Sequence, residues 1–436
     1  MQTQQGKHRH LRWIEVIVVL MTLAIANRAT WLCIWEVHKP LFSCEYGTPA
    51  FEILAYLVIL TLVLAVVRTS PLRKKWAEAW RQNGVLVAFL LLCLASVTWS
   101  VARILTAVNA TLIILSAVVA SYLGVRYRDD ELVRITLWFS AAAVILSYIL
   151  VWLVPGAAIM STLALEGAWR GVFSHKNYTG AIVAYGSSVV ALGYFAYRRA
   201  IVKAGLVMLF VASGVLIGLT RSATGVVVLA ALLGLLLVFL LWNRFSRRLH
   251  RVHYAALGAI FGVLVAVVLA SRNRLFALIG RTSSLTGRVP LWGYVIDLTA
   301  KHNIWLGYGL WTVWRFLDFR LRAEAALHWP FQVINGHNGF IDVFTYLGMI
   351  GLAIFSALTV QMLWRAFSYT VKARSTMALW VVLTAVYVVL ANLTISFFFQ
   401  FETFHWVLFV LVLFASTRMP ATEANADEAS GPSQLP

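Results

Sequence analysis

The sequence predicts an all-α integral membrane protein built as one polytopic unit, and three observations predict it. Apolar residues fill 61% of the 436 positions and charged residues only 12%, about half the charged share of a soluble chain. The mean hydropathy is +0.82. Apolar runs long enough to cross a bilayer recur from one end of the chain to the other.

Twelve such runs can be drawn, near 13–34, 51–67, 84–99, 105–124, 134–153, 179–197, 202–219, 223–242, 254–270, 338–363, 376–397 and 402–416. The first follows "KHRHLR", a charged lead like that of a signal peptide. No small-x-small cleavage site comes after it, so it reads as a helix. The second and third are short, and thinning of the bilayer or snorkelling of their ends accommodates them. Between the ninth and tenth lies the one long polar segment, 271–336. It holds Trp292, Trp305, Trp311, Trp314 and Trp329. Tryptophan favours the membrane–water interface, which predicts short amphipathic helices on the outer leaflet. The polar stretch 421–436 reads as a disordered tail, which leaves 1–420 as the membrane unit.

The net charge is +19, which in a soluble protein would suggest nucleic acid. Here the charge has another explanation. With the N-terminus in the cytoplasm, most Lys and Arg fall in cytoplasmic loops, at Lys7–Arg12, Arg68–Arg81, Arg126–Arg134, Arg198–Lys203, Arg244–Arg251, Arg365–Arg374 and Arg418. Short cytoplasmic loops carry this excess in membrane proteins, and long loops are exempt. Both termini are then cytoplasmic, the partner is membrane lipid, and no nucleic acid is implied. Cys33, Cys44 and Cys93 have no metal-ligand spacing, and a Cys33–Cys44 disulfide stays open.

This topology gathers four polar clusters on the outer face. "WRGVFSHKNYTG" brings Arg170, His175, Lys176 and Asn177. "GLTRSATG" brings Arg221, "SSLTGRVPLWGY" brings Arg288, and "VINGHNGFIDVFTYLG" brings Asn335, His337 and Asn338. Each has a plainer reading. Arg221 could anchor at the headgroups, Lys176 could hold a lipid phosphate, and Arg288 shares its loop with many basic residues. His337 could be a helix-entry histidine satisfied by backbone. Against that, Arg221 is the one charged residue between Lys203 and Arg244, and isolated ionisable groups in such segments mark function. His337 sits between Gly336 and Asn338, with Asn335 and Gly339 beyond; glycine allows close approach of a ligand, and imidazole can accept a proton near neutral pH. Asp342, five residues on, is off its helical face and is not read as its orienting partner.

The sequence lacks a D-x-D pair, outer-face metal-ligand spacing and a P-loop or dinucleotide fingerprint. Cations, one base and aromatic platforms suit glycosyl transfer from a lipid diphosphate. Arginine forks hold the leaving anion in the role that a metal plays elsewhere, and the histidine deprotonates a sugar hydroxyl.

Together the clusters resemble the O-antigen ligase and polymerase superfamily of bacterial envelope enzymes. The resemblance runs from "LASVTWSVARIL" to "GHNGFIDVFTYLGMIGL", and "RGVFSHKNYTG", "SLTGR" and "GHNGF" are its most specific parts. It implies a C-type membrane glycosyltransferase-like fold with a long extracytoplasmic loop, no cofactor, and a periplasmic site at the inner membrane. It implies an undecaprenyl-diphosphate-linked glycan donor and a lipid A–core or glycan acceptor. It makes His337 the base and Arg221 and Arg288 the diphosphate binders. Arg170, His175, Lys176 and Asn177 complete the donor site, and Asn335 and Asn338 belong to its polar shell. The motifs fit ligase and polymerase alike. Eight basic against three acidic residues in 271–336 lean toward the phosphorylated lipid A–core. The rival from another class is a lipid or polysaccharide transporter. That reading expects key charges near the bilayer midplane and often an internal repeat. The sequence has neither.

Overall fold

The computed structural model describes residues 49–68, 72–161, 165–245, 288–315, 317–327, 335–394, 396 and 404–418. The expected spans 13–34 and 254–270, the tail 421–436, Cys33 and Cys44 lie outside them. The described residues are helical, apart from turns and one isolated bridge between Ile159 and Trp169. In chain order the helices are α1 (Pro49–Arg68), α2 (Leu72–Arg81), α3 (Gly84–Ala95), α4 (Arg103–Arg126) and α5 (Asp129–Leu153). After a single turn at Pro155–Ala158 come α6 (Lys176–Ala196), α7 (Ala200–Thr220) and α8 (Ala223–Phe245). Then follow α9 (Arg288–Asn303), α10 (Leu317–Leu327), α11 (Gly339–Ala373), α12 (Leu379–Thr394) and α13 (Phe404–Ala415).

Six of these are long and apolar enough to cross a membrane: α4, α5, α6, α7, α8 and α11. A seventh span results if α1 and α2, bent by 115°, are taken as one. The expected spans at 84–99, 376–397 and 402–416 are shorter apolar helices here. The chain is a multi-pass membrane protein, and its lipid-facing surface is visibly apolar, with Trp138, Trp152 and Ile104 among its most exposed residues.

Helix α6 sits at the centre, packed on α5, α7, α8 and α12. Its sequence, "KNYTGAIVAYGSSVVALGYFA", is rich in Gly, Ala and Ser, and small residues let membrane helices approach closely. The closest approach is at Gly180 and Gly225, where α6 meets α8. A Cβ on Gly225 would lie 2.8 Å from the carbonyl oxygen of Gly180. Helix α4 packs on α13, and α11 on α12. At one end of the bundle Arg365 donates to Asn83 Oδ1 (2.9 Å) and to the carbonyl of Gln82 (2.7 Å). There Arg418 pairs with Asp129 at 2.6 Å. These residues belong to the loops that charge counting places together.

The expected continuous span over 338–363 is broken. Gly348 has φ 63 and ψ −161 inside α11, a backbone state open to glycine. Breaking a helix in a membrane frees main-chain groups that must find partners. The loop after α9 supplies them. Tyr308 and Gly309 donate to the carbonyls of Thr345 (3.1 Å) and Tyr346 (2.9 Å). Met349 and Ile350 donate to those of Ile304 (2.8 Å) and Trp305 (3.3 Å). The loop is gripped on its other side by the α3–α4 turn. Trp99 Nε1 donates to the carbonyl of Leu306 (2.9 Å), Val101 N–H to that of Tyr308 (3.1 Å) and Thr106 Oγ1 to that of Leu310 (3.0 Å).

Candidate functional site

The start of α6 is organised by its own polar residues. His175 Nδ1 accepts the N–H of Asn177 at 3.1 Å and so caps the helix. With Nδ1 an acceptor, a neutral His175 carries its proton on Nε2. Lys176, only 6% exposed, donates from Nζ to the carbonyl of Arg221 at 2.9 Å. Asn177 Oδ1 accepts from Ser222 Oγ at 3.1 Å, and Ser222 Oγ in turn accepts the N–H of Gly225 at 3.2 Å. The α6 start and the α7–α8 turn are therefore one polar unit. Arg221 closes α7 in left-handed backbone, φ 49. Its exposed guanidinium donates to the carbonyl of Glu166 at 3.2 Å. Arg170 donates through Nε to the carbonyl of Ala157 (2.7 Å) and through Nη1 to that of Ser174 (3.4 Å).

The turn before α11 is pinned from several sides. His337 is itself left-handed, φ 50, and its N–H donates to Asn335 Oδ1 at 2.8 Å, a side-chain turn of the kind Asn favours. The carbonyl of Gly336 accepts from Trp292 Nε1 on α9 (2.7 Å). The N–H of Gly336 donates to Asp342 Oδ1 (3.0 Å), which also accepts from Trp314 Nε1 (2.9 Å). The N–H of Asn338 donates to Ser396 Oγ beyond α12 (3.0 Å). Asn338 Oδ1 caps α11, accepting from the N–H groups of Phe340 (2.9 Å) and Ile341 (3.4 Å). None of these bonds uses the His337 imidazole.

Arg288, the first residue of α9, links the two halves electrostatically. Burial, then the charge of Arg288 and the proximity of His175, push His337 down to about 3. Burial, then Lys176, Arg170 and Arg288, push His175 down to about 4. Desolvation and neighbouring cations both disfavour imidazolium. Both rings are neutral at pH 7, in a field set by fixed cations. Such a site is matched to an anion.

The expected residues thus separate into two sets. Lys176, Arg170 and Arg288 act electrostatically on His175, and Arg288 and His175 act on His337. Asn177, Asn335 and Asn338 are the hydrogen-bonding scaffold beneath them. Arg221 is joined to the cluster through its carbonyl on Lys176, while its guanidinium is turned to Glu166. Sequence reasoning gives Ser222 and Ser396 no part in the site, and it reads Trp292 and Trp314 as interface tryptophans, not as donors to the His337 turn and to Asp342. Asp342 orients the main chain at Gly336, not the imidazole.

Residues 206–356, roughly a third of the chain, match the O-antigen ligase family (Wzy_C). The match spans α7, α8, α9, α10 and the first half of α11, and it includes Arg221, Arg288 and His337. No curated protein matches the chain significantly. The family match supports the O-antigen ligase and polymerase superfamily. It implies a glycosyltransferase-like enzyme that works on lipid-linked glycans.

Proposed function

Proceeding from that superfamily placement, we propose that the chain joins an undecaprenyl-diphosphate-linked O-antigen to a hydroxyl of lipid A–core at the outer face of the bacterial inner membrane. The observation that carries this reading is the shared influence of Arg288 on His337 and His175. Arg288, His175 and His337 come from three distant chain segments, and Arg288 acts on both rings, which are neutral.

In the proposed step His337 takes the proton of the acceptor hydroxyl. The acceptor oxygen bonds to the anomeric carbon as the bond from that carbon to the diphosphate oxygen breaks. Configuration inverts, and undecaprenyl diphosphate leaves with its charge held by Arg288, Lys176, Arg170 and Arg221. His175, with its proton on Nε2, can donate a hydrogen bond to the same anion. A bound diphosphate also cancels part of the field that depresses His337. Its pKa then rises, and the imidazole becomes a stronger base when the donor is in place. The cations of 271–336 favour a phosphorylated acceptor.

Purified protein given the lipid-linked glycan with either lipid A–core or a second lipid-linked glycan tests the reading. Glycan on lipid A–core is the expected product. Chain extension on the polyprenyl carrier alone would make the protein a polymerase, and no covalent product would point to transport. A chelator is expected to leave the rate unchanged. Inhibition reversed by added divalent metal would contradict the scheme.

A further inference from the structure

Asn392 stands on α12 where that helix passes the start of α11. Its side chain is fully buried, and neither Oδ1 nor Nδ2 has a hydrogen-bond partner among the described residues. An unpaired buried amide costs stability, and native structures keep few of them. Its neighbours on α12, Val388 and Ala391, are apolar and buried, so packing alone would favour an apolar residue here. The amide lies against the start of α11. A Cβ at Gly339 would collide with Oδ1, Nδ2 and Cγ of Asn392. Gly339 is the first residue of α11 and follows His337 by two positions. The next turn of chain after α12 brings Ser396, which already holds the N–H of Asn338. Ser396 and Asn392 thus both stand against the His337 turn, the first bonded to it and the second in reserve.

We propose that Asn392 is a positioning residue for His337, whose amide pairs with the main chain of the 335–339 turn when an acceptor seats against the imidazole. The inference rests on the reading of His337 as the base. In the free protein the amide is stored unpaired. In the engaged state it fixes the turn, and so the ring, at the height the acceptor oxygen requires. The stability lost in the free state is the cost of one last bond, made on loading, to a turn that its other bonds already hold.

The test uses purified full-length protein and the glycan-transfer assay. Asn392→Leu removes both polar atoms and keeps the branched shape. It is expected to lower kcat about tenfold or more and leave KM within about twofold. Its thermal midpoint should stay equal to or above that of the parent, because an unpaired polar group has gone. An unchanged kcat, or one that falls only in step with a lower midpoint, overturns the proposal. Asn392→Ser keeps a donor and an acceptor in less space and should hold kcat within about threefold. A Ser variant as slow as the Leu variant removes the hydrogen-bonding role. On a His337→Asn background, chosen because Asn tolerates left-handed backbone, Asn392→Leu should slow the residual reaction no further. A further drop overturns the coupling. A fully active His337→Asn protein would refute the base reading itself. An inactive one beside an unimpaired Asn392→Leu protein refutes only the role of Asn392.

Discussion

The turn that carries His337 and the turn that carries Arg221 are both left-handed at a non-glycine residue, with φ 50 and φ 49. They are held in different ways. The His337 turn is bonded by side chains that arrive from α9, from α11 and from the chain beyond α12, and Trp314 braces the α11 carboxylate. The Arg221 turn is held by its immediate neighbours and by Lys176, and its guanidinium lies exposed against the carbonyl of Glu166. The difference follows from what each group is proposed to do. A proton acceptor works within hydrogen-bond reach of one atom, so its position must be fixed. A cation acts on a diphosphate over several ångströms and can follow it.

The sharpest way to break this comparison is His337→Asn. Transfer should fall by about 10²–10⁴-fold in kcat, the span of general-base contributions, with expression and thermal midpoint retained. Substantial activity in that variant would leave the rigid turn without a purpose. Next in size is Asp342→Ala. It strands the Gly336 N–H and Trp314 Nε1–H, each at a cost of about 1–3 kcal/mol. The midpoint and kcat should fall together, and a normal midpoint by calorimetry would show that the turn is held by other means.

A smaller effect separates the two arginines. Arg288→Lys loses the planar fork and is expected to slow transfer about tenfold. Arg221→Lys should cost less and appear in the KM for the donor. The reverse order, measured side by side, would place the diphosphate at the Arg221 turn instead. The smallest effect is on pH dependence. Folding holds His337 at about 3 and His175 at about 4, below the unfolded value of about 6.5. The unfolded chain therefore takes up protons that the folded one refuses, and stability is lost as pH falls from about 6.5 toward those values. Above pH 7 the contribution is constant. The thermal midpoint should drop between pH 6.5 and 4, less steeply in His337→Asn. The pH profile of kcat should show a higher apparent pKa than that of kcat/KM, since bound diphosphate supports the imidazolium.

Much of the frame was legible in the sequence because bilayers demand long apolar runs. The spans near 105–124, 134–153, 179–197, 202–219 and 223–242 correspond to α4 through α8. His175, Lys176 and His337 stand out as polar residues in an apolar chain, whereas Arg288, in a basic loop, is singled out through the family resemblance; Arg288 acts on both rings. What stayed hidden depends on contacts distant in sequence. Gly348 looks like any glycine in an apolar run until the 304–309 loop takes the groups it frees. "SVTWS" carried part of the family resemblance but gave no sign that it clasps the same loop. The Leu72–Arg81 segment was counted as loop for its charges, yet it is a helix with Trp80 against Phe414 (ring centroids 5.0 Å) and Trp76 bonded to Ser121 (2.8 Å). The spacing from His337 to Asp342 excluded a ring contact but could not indicate that the carboxylate bonds Gly336.

The seam between the 304–309 loop and the break at Gly348 has a practical corollary. Four main-chain bonds sew the segment leading from Arg288 to the helix that begins two residues after His337. The proposed base and the proposed clamp are therefore tied through one main-chain seam. Anyone grafting the specificity of one relative onto another should cut before 288 and after 350 and carry 96–101 along. A transplant of the loop by itself would leave those four seams facing a foreign edge.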